Sequence, residues 1–194
     1  RTDMGDFYRF LESQLFTDII YGCFYFLLIL SAFNIFSICF RGTATRRLSK
    51  NAGLLDGAKS FLPYARNVLL CRTAEKLYEK KHGTSCTEYS KYCSTLQVGN
   101  ISADLCAAIL AVLAFVMYGK GGYEFSASVT AVLVSAGICF LFRLIFGLSN
   151  RIVIAKSLGI ISDTVTDRTD KAAEIFCIIA PIADIYAFIL SRKI

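Results

Sequence analysis

The chain alternates between long runs without charge and shorter charge-rich stretches. Residues 19–40 carry no charged side chain, about 22 positions, enough for a helix to cross about 30 Å of hydrocarbon. Asp18 marks the start of this run and Arg41 its end. A second run, 105–119, reaches spanning length if its helix begins near Ile101 and carries Asp104 at the interface. After Lys120, Gly121 and Gly122 comes a third run, 125–142, closed by Arg143 with apolar residues continuing to Leu148. The second and third runs with their short link read as a helical hairpin. The fourth run, 175–191, is interrupted by Pro181 and Asp184, and a membrane helix tolerates such a proline where neighbours re-satisfy the freed carbonyl. The pattern predicts membrane helices over 19–40, 101–119, 125–148 and 175–191 within a single membrane domain, 1–194.

Between the first two runs the period changes. Leu54, Leu55, Ala58, Phe61, Leu62, Ala65, Val68 and Leu69 recur at helical spacing, while Lys59, Arg66 and Lys76 fall off that stripe. The spacing predicts an amphipathic helix over 48–81, kinked at Pro63 and stopped near Lys80, His82 and Gly83. Leu54, Leu55, Phe61, Leu62 and Leu69 are expected to face acyl chains or a protein groove, with Lys59 and Arg66 near water. The fold class is an all-α integral membrane protein, with about four membrane-embedded helices plus a basic amphipathic interfacial helix.

Composition agrees with lipid as the solvent. Hydrophobic residues make up 55% of the 194, and the mean hydropathy is +0.54, against roughly 45–50% apolar in soluble domains. Charge adds an orientation. Residues 41–97 hold 11 Lys/Arg against 4 Asp/Glu, so this loop is expected to stay on the side from which chains insert, with the N-terminal tail translocated. Simple alternation then carries Arg192 and Lys193 across, against the same rule. Three spans plus one in-plane segment is the alternative. Residues 1–18 mix acids and bases without a basic start and small-residue cleavage site, and are not read as a signal peptide.

Material for catalysis is sparse. His82 is the only histidine, and its spacing to Cys86 is the one nucleophile–base candidate, on a loop. Gly119, Lys120, Gly121 and Gly122 lack the strand and the Lys–Ser/Thr ending of a phosphate loop. The expectation is a protein that is not an enzyme and uses no cofactor or metal. Of eight cysteines, most sit in or beside apolar runs as small hydrophobes. Cys86 and Cys93 lie together in a polar loop at a spacing that permits a disulfide.

The intramembrane polar residues say more. Asp104, Arg143 and Asp184 lie at the edges of, or inside, apolar runs, where a charge costs about 2.5–3.5 kcal/mol and faces protein or water. They form either an ion or substrate path or, for Asp104 and Arg143, interface anchors. Asp184 is a candidate partner for Arg143, and Asn34 for a bond to a neighbouring helix. Ala107, Ala111 and Ala114 on one side of the hairpin, with Ala131 and Ser135 on the other, recur at about one-turn spacing and favour close helix approach. The basic amphipathic segment is suited either to anionic lipid or to packing against another subunit. Nucleic acid is disfavoured, because membrane topology accounts for the positive charge.

Three islands carry a family resemblance: Phe10, Leu11 and Glu12 followed by Asp18; the stretch Asn100, Ile101, Ser102, Ala103, Asp104 and Leu105; and Cys177 through Pro181, Ile182 and Ala183. In this order they resemble the peroxins that drive peroxisome and glycosome proliferation. The Lys/Arg-rich segment 48–77 is similar in kind to the amphipathic segment of that family. The resemblance implies a non-enzymatic, membrane-elongating protein whose amphipathic helix inserts into the outer leaflet. The chain departs from the family at Leu15, Phe16, Thr17 and Asp18, which stand where a Gly-Arg-Asp-Lys signature is expected, and in lacking a closing glycine-rich segment.

Three functions follow as expectations. The first is a protein that shapes or scaffolds an organelle membrane, that of the peroxisome or glycosome. The second is an accessory subunit of a large membrane complex, such as one of the mitochondrial inner membrane. The third is a small channel or transporter using Asp104, Arg143 and Asp184. The expected partners are the bilayer, anionic lipids, and further copies or other membrane subunits.

Overall fold

The computed structural model describes residues 14–55, 57–120, 126–167 and 171–193. The island Phe10, Leu11 and Glu12, the link Gly121–Gly122 and the side chain of Asn34 lie outside the described residues. Within them the chain is all-helical, with no strand. The helices are α1 (Gln14–Asn51), α2 (Pro63–His82), α3 (Tyr89–Lys120), α4 (Ala127–Thr166), α5 (Lys171–Phe176) and α6 (Ala180–Leu190), with a 3-10 turn over Gly57–Phe61. Three segments, Phe24–Asn51, Tyr89–Lys120 and Ala127–Thr166, are long and apolar enough to cross a membrane.

Each of these helices is longer than its apolar run. The 38 residues of α1 reach about 57 Å at 1.5 Å per residue. No proline or turn signal stops the helix at Arg41, so it continues to Asn51. In this extension Arg41, Ala44, Thr45 and Leu48 repeat at three- and four-residue intervals and are all buried. The matching extensions of α3 and α4, together with α2 and α6, close a packed cap. Its core joins Ala44 and Leu48 of α1, Leu70 and Ala74 of α2, Ile154, Leu158 and Ile161 of α4, and Ala183, Ala187 and Leu190 of α6. The molecule thus has an apolar half of exposed helices and a polar half with a conventional core.

The segment expected as one amphipathic helix over 48–81 is three elements. Gly53 has φ +80°, a left-handed turn that ends α1 cheaply for a residue without Cβ. The 3-10 turn then folds back onto α1, where Phe61 lies so close to Gly42 that a Cβ there would meet the ring at 2.7 Å. Pro63 does not kink a helix. It opens α2, preceded by Leu62 in extended conformation, because proline fits the first turn and restricts the residue before it. Gly83, with φ +68°, closes α2, its N–H donating to the Glu79 carbonyl.

The fourth apolar run also differs from its expected form. It divides between α5 and α6, and Pro181 stands in the first turn of α6 rather than inside a span. The 11 residues of α6 cover about 16 Å, half of a hydrocarbon core. They pack against α1 and α4 instead. Lys193 consequently lies beside Lys80, Lys81 and Asn51.

α3 and α4 pair along most of their length. Ala103, Ala107, Leu110 and Ala114 are shielded on one helix, and Val129, Val132, Ala136 and Cys139 on the other. The alternating three- and four-residue spacing is that of a knobs-into-holes seam. Ala111, Ala131 and Ser135, expected in this contact, face outward. Gly99 lets the Phe146 ring lie at 3.2 Å from where its Cβ would be. Among the described residues the backbone of α1 comes close to α2, α6 and the 3-10 turn, and less close to α3 and α4.

Candidate functional site

Where the apolar half of α1 meets the cap, three charged side chains converge. Arg41 Nη1 lies 3.4 Å from Asp184 Oδ1 of α6, with side chains 7% and 2% exposed. Arg66 of α2 is also buried and donates from Nη1 to the Ser37 carbonyl of α1 at 3.1 Å. Two guanidinium groups therefore lie in one interior with a single carboxylate, which only Arg41 contacts. Burial, and then the nearby Arg41 charge, lower the Arg66 pKa to about 10, so it remains a cation at neutral pH. Nε and Nη2 of Arg41, Nε of Arg66 and Oδ1 of Asp184 have no hydrogen-bond partner, and Nε2 of the buried Gln97 on α3 has none either. Gln97 is one turn along α3 from the buried Cys93, on the same face.

The three candidates Asp104, Arg143 and Asp184 thus enter two pairs, with Arg41 as the fourth member, that the sequence did not indicate. Asp184 pairs with Arg41, not with Arg143. Arg143 Nε bonds instead to Asp104 across the hairpin, with both side chains about 40% exposed, at 43% and 41%. The physical reason is register. Antiparallel α3 and α4 place position 104 opposite 143, as they place Gly99 against Phe146, whereas α6 leans on the cap extension of α1. Arg41 marked only the end of an apolar run in the sequence. Its partner is far along the chain, and the one available signal is its kinship with Arg143, a lone cation at such an end.

The residues expected on a membrane-binding stripe separate. Leu55 is wholly exposed at 102%, and Leu62, Phe61 and Lys59 are exposed. Leu54 is half-buried beside Arg72 and Glu75. Leu69 and Arg66 are buried. The buried face of α2 is Arg66, Leu69, Leu70, Thr73 and Ala74, rotated from the predicted stripe, because the core of the cap decides the orientation once the segment is broken at Gly53 and Pro63. Phe61, Leu62 and Tyr64 remain exposed next to residues 37–42 of α1. Ile175, Phe176, Ile179 and Ile182 are also exposed, around the α5–α6 junction. Phe188 of α6 meets Phe40 edge-on at 5.0 Å.

Cys86 and Cys93 are both free thiols. Cys93 turns inward and donates to Asn150 Oδ1 of α4 at 3.1 Å. Burial, aided by the Glu75 charge, pushes the Cys86 thiol up. Cys71 in α2 is held below its ordinary value, chiefly by its neighbour Cys93, and Ser157 donates to its sulfur at 3.3 Å. Glu75 caps the next helix, its carboxylate accepting from the Ser90 N–H at 2.6 Å and the Ser90 hydroxyl at 2.9 Å. Negative charge at a helix N-terminus is favourable there.

At the far end of the cap the C-terminal ends of α1, α2, α4 and α6 surround a cavity of about 460 Å³ lined by Asn51, Leu77, Lys80, Lys81, Thr164, Val165 and Lys193. Lys81 donates to the Asp163 carbonyl at 2.7 Å and to the Asp167 carboxylate at 2.5 Å. Hydrogen bonding to Lys81 holds the Asp167 carboxyl below its usual range. These lysines match the negative ends of four helix dipoles, which is a structural use of their charge. Among the described residues no group of three or more His, Cys, Asp or Glu is placed to hold a metal ion.

Comparison of the chain with protein-family models, curated proteins and solved structures finds no match.

Proposed function

We propose that the chain is an integral membrane protein that crosses the bilayer three times and shapes or scaffolds the membrane of an organelle without catalysing a reaction. The basic cap and the C-terminus lie on one side. The start of α1 and the α3–α4 link lie on the other. The peroxisome-proliferation reading suggested by the sequence islands is the finer form of this proposal.

One observation carries it. Apolar side chains are exposed on the cap: Phe61, Leu62 and Tyr64 where α2 begins, and Ile175, Phe176 and Ile179 around the α5–α6 junction. Phe61 adjoins α1 where its charge-free run ends, through its contact with Gly42, and α6 reaches the same level of α1 through the Asp184–Arg41 pair. A cap seated in the headgroup layer by these side chains occupies area in one leaflet only, which favours curvature. The cations of residues 41–97 add attraction to anionic lipid of about 1 kcal/mol each near the surface.

A second reading is favoured by the apolar half of α1. Tyr21, Phe24, Tyr25, Phe26 and Phe33 are all exposed there, and an unaccompanied aromatic helix suits a neighbouring membrane subunit. Purified protein reconstituted into giant vesicles separates the two. Membrane shaping predicts tubules or constrictions that increase with protein density. Full insertion into vesicles that stay spherical at every density contradicts it and leaves the accessory-subunit reading.

A further inference from the structure

We propose that Cys71 and Cys93 form a buried dithiol that a small hydroperoxide oxidises to a disulfide, fastening α2 to α3 within the cap. This site is separate from the exposed apolar surfaces above, and its chemistry stands whether or not the cap bends a bilayer.

Hydrogen bonds set the register of the two helices. The Glu75 carboxylate of α2 accepts from the Ser90 N–H and hydroxyl of α3 at 2.6 and 2.9 Å. One turn back along α2 is Cys71, about one turn forward along α3 is Cys93, and these two side chains are again neighbours. The helices therefore run antiparallel with 71 opposite 93. Both thiols are free and wholly buried. Each also meets α4: the Ser157 hydroxyl lies 3.3 Å from the Cys71 sulfur, and the Cys93 thiol donates to Asn150 Oδ1 at 3.1 Å. Cysteines that only fill space need no such partners. The two sulfurs differ in reactivity. Cys93 and the Ser157 hydroxyl hold the Cys71 thiol below its ordinary value, against the opposing effect of burial, which makes Cys71 the attacking sulfur.

Its thiolate attacks one oxygen of hydrogen peroxide. The O–O bond breaks, the leaving hydroxide takes up the proton that Cys71 released, and Cys71 carries a sulfenic acid. The Cys93 sulfur then attacks the Cys71 sulfur. The S–S bond forms, the S–O bond breaks, and the hydroxyl group leaves as a second water with the Cys93 proton. Two electrons have passed from the two thiols to the peroxide. Asn150 thereby loses its donor, so oxidation trades a contact with α4 for a covalent tie between α2 and α3.

The test treats the full chain in mild detergent with hydrogen peroxide, blocks the remaining thiols with iodoacetamide in urea, and maps the peptides without reductant. The expected product is a peptide linking Cys71 to Cys93, lighter by two hydrogens than its separate parts and reopened by dithiothreitol. Cys86→Ser should leave its yield unchanged, and Cys71→Ser and Cys93→Ser should each abolish it. Oxidised in urea, the chain should instead favour Cys86–Cys93, since the shorter loop closes more readily. Hydrogen exchange of the oxidised protein should rise at residues 150–157 and fall across 72–92. Unchanged thiols after peroxide overturn the proposal. So does a Cys71 sulfinic acid without the linked peptide, or a folded chain that pairs Cys86 with Cys93. Unchanged exchange at 150–157 would overturn the release of α4. The decisive readout is taken on the unsubstituted chain, so it does not rest on either serine variant folding.

Discussion

Arg41 on α1 and Asp184 on α6 face each other at 3.4 Å in an interior that leaves both side chains under one-tenth exposed. The pair ties α6 to α1, at the level where the charge-free run of α1 ends. Removing one member strands the other. Asp184→Ala should therefore lower stability by about 3 kcal/mol, as breaking a buried pair does. Thermal unfolding in detergent measures this. A change below about 0.5 kcal/mol would mean that water already solvates Arg41.

Glu75 holds the first turn of α3 through Ser90. Glu75→Ala should cost about 1–2 kcal/mol, the range of a lost cap with its charge. Hydrogen exchange should rise at residues 89–92 before it rises elsewhere in the cap. Uniform exchange across the cap would contradict a local capping role.

Gly83 ends α2 in the left-handed region at φ +68°, and a Cβ placed on it would have nothing within 4 Å. The cost of Gly83→Ala is then conformational alone, about 1–2 kcal/mol. Gly83→Asn should recover part of it, since asparagine tolerates this conformation. Equal losses in the two variants would point to a contact rather than to backbone strain.

Cys86 is partly buried, and burial raises its pKa. A raised thiol pKa means less thiolate at any given pH below it, so alkylation at neutral pH should be slower than for a free cysteine peptide. The rate should keep climbing as pH passes the ordinary thiol value, where the peptide has levelled off. Peptide mapping after timed alkylation reads this, and the same maps without reductant should show no Cys86–Cys93 disulfide. A bridged peptide would contradict the inward turn of Cys93 toward Asn150.

Much of the apolar half was legible in the sequence. The charge-free runs 19–40 and 105–119 lie inside α1 and α3, and the run 125–142 starts within two residues of the start of α4. Hydropathy does not report backbone conformation, and the helical extensions beyond Arg41 and Leu148 were therefore invisible as parts of the same helices. Pro63 and Pro181 were expected inside helices, yet each begins one. A proline satisfies either pattern locally, and only the neighbouring turn, at Gly53 or after Phe176, decides. Arg66 was expected near water because it falls off the apolar stripe of its own segment. The carbonyl that takes it inside, that of Ser37, belongs to a different helix. The Arg41–Asp184 pair was hidden for the same reason, since each residue looks like the edge or interruption of a separate apolar run.

The most direct test of the three-span arrangement is the side on which each end of the molecule lies. Single cysteines at 50, 120 and 193, in a background without other reactive thiols, can be labelled in sealed vesicles with an impermeant maleimide. Three spans predict that positions 50 and 193 label from the same side, because Asn51 and Lys193 line one cavity, and that position 120, at the end of α3, labels only from the other. Labelling of 50 and 193 from opposite sides would mean that the fourth apolar run crosses the bilayer, and would contradict the cap and the topology built on it.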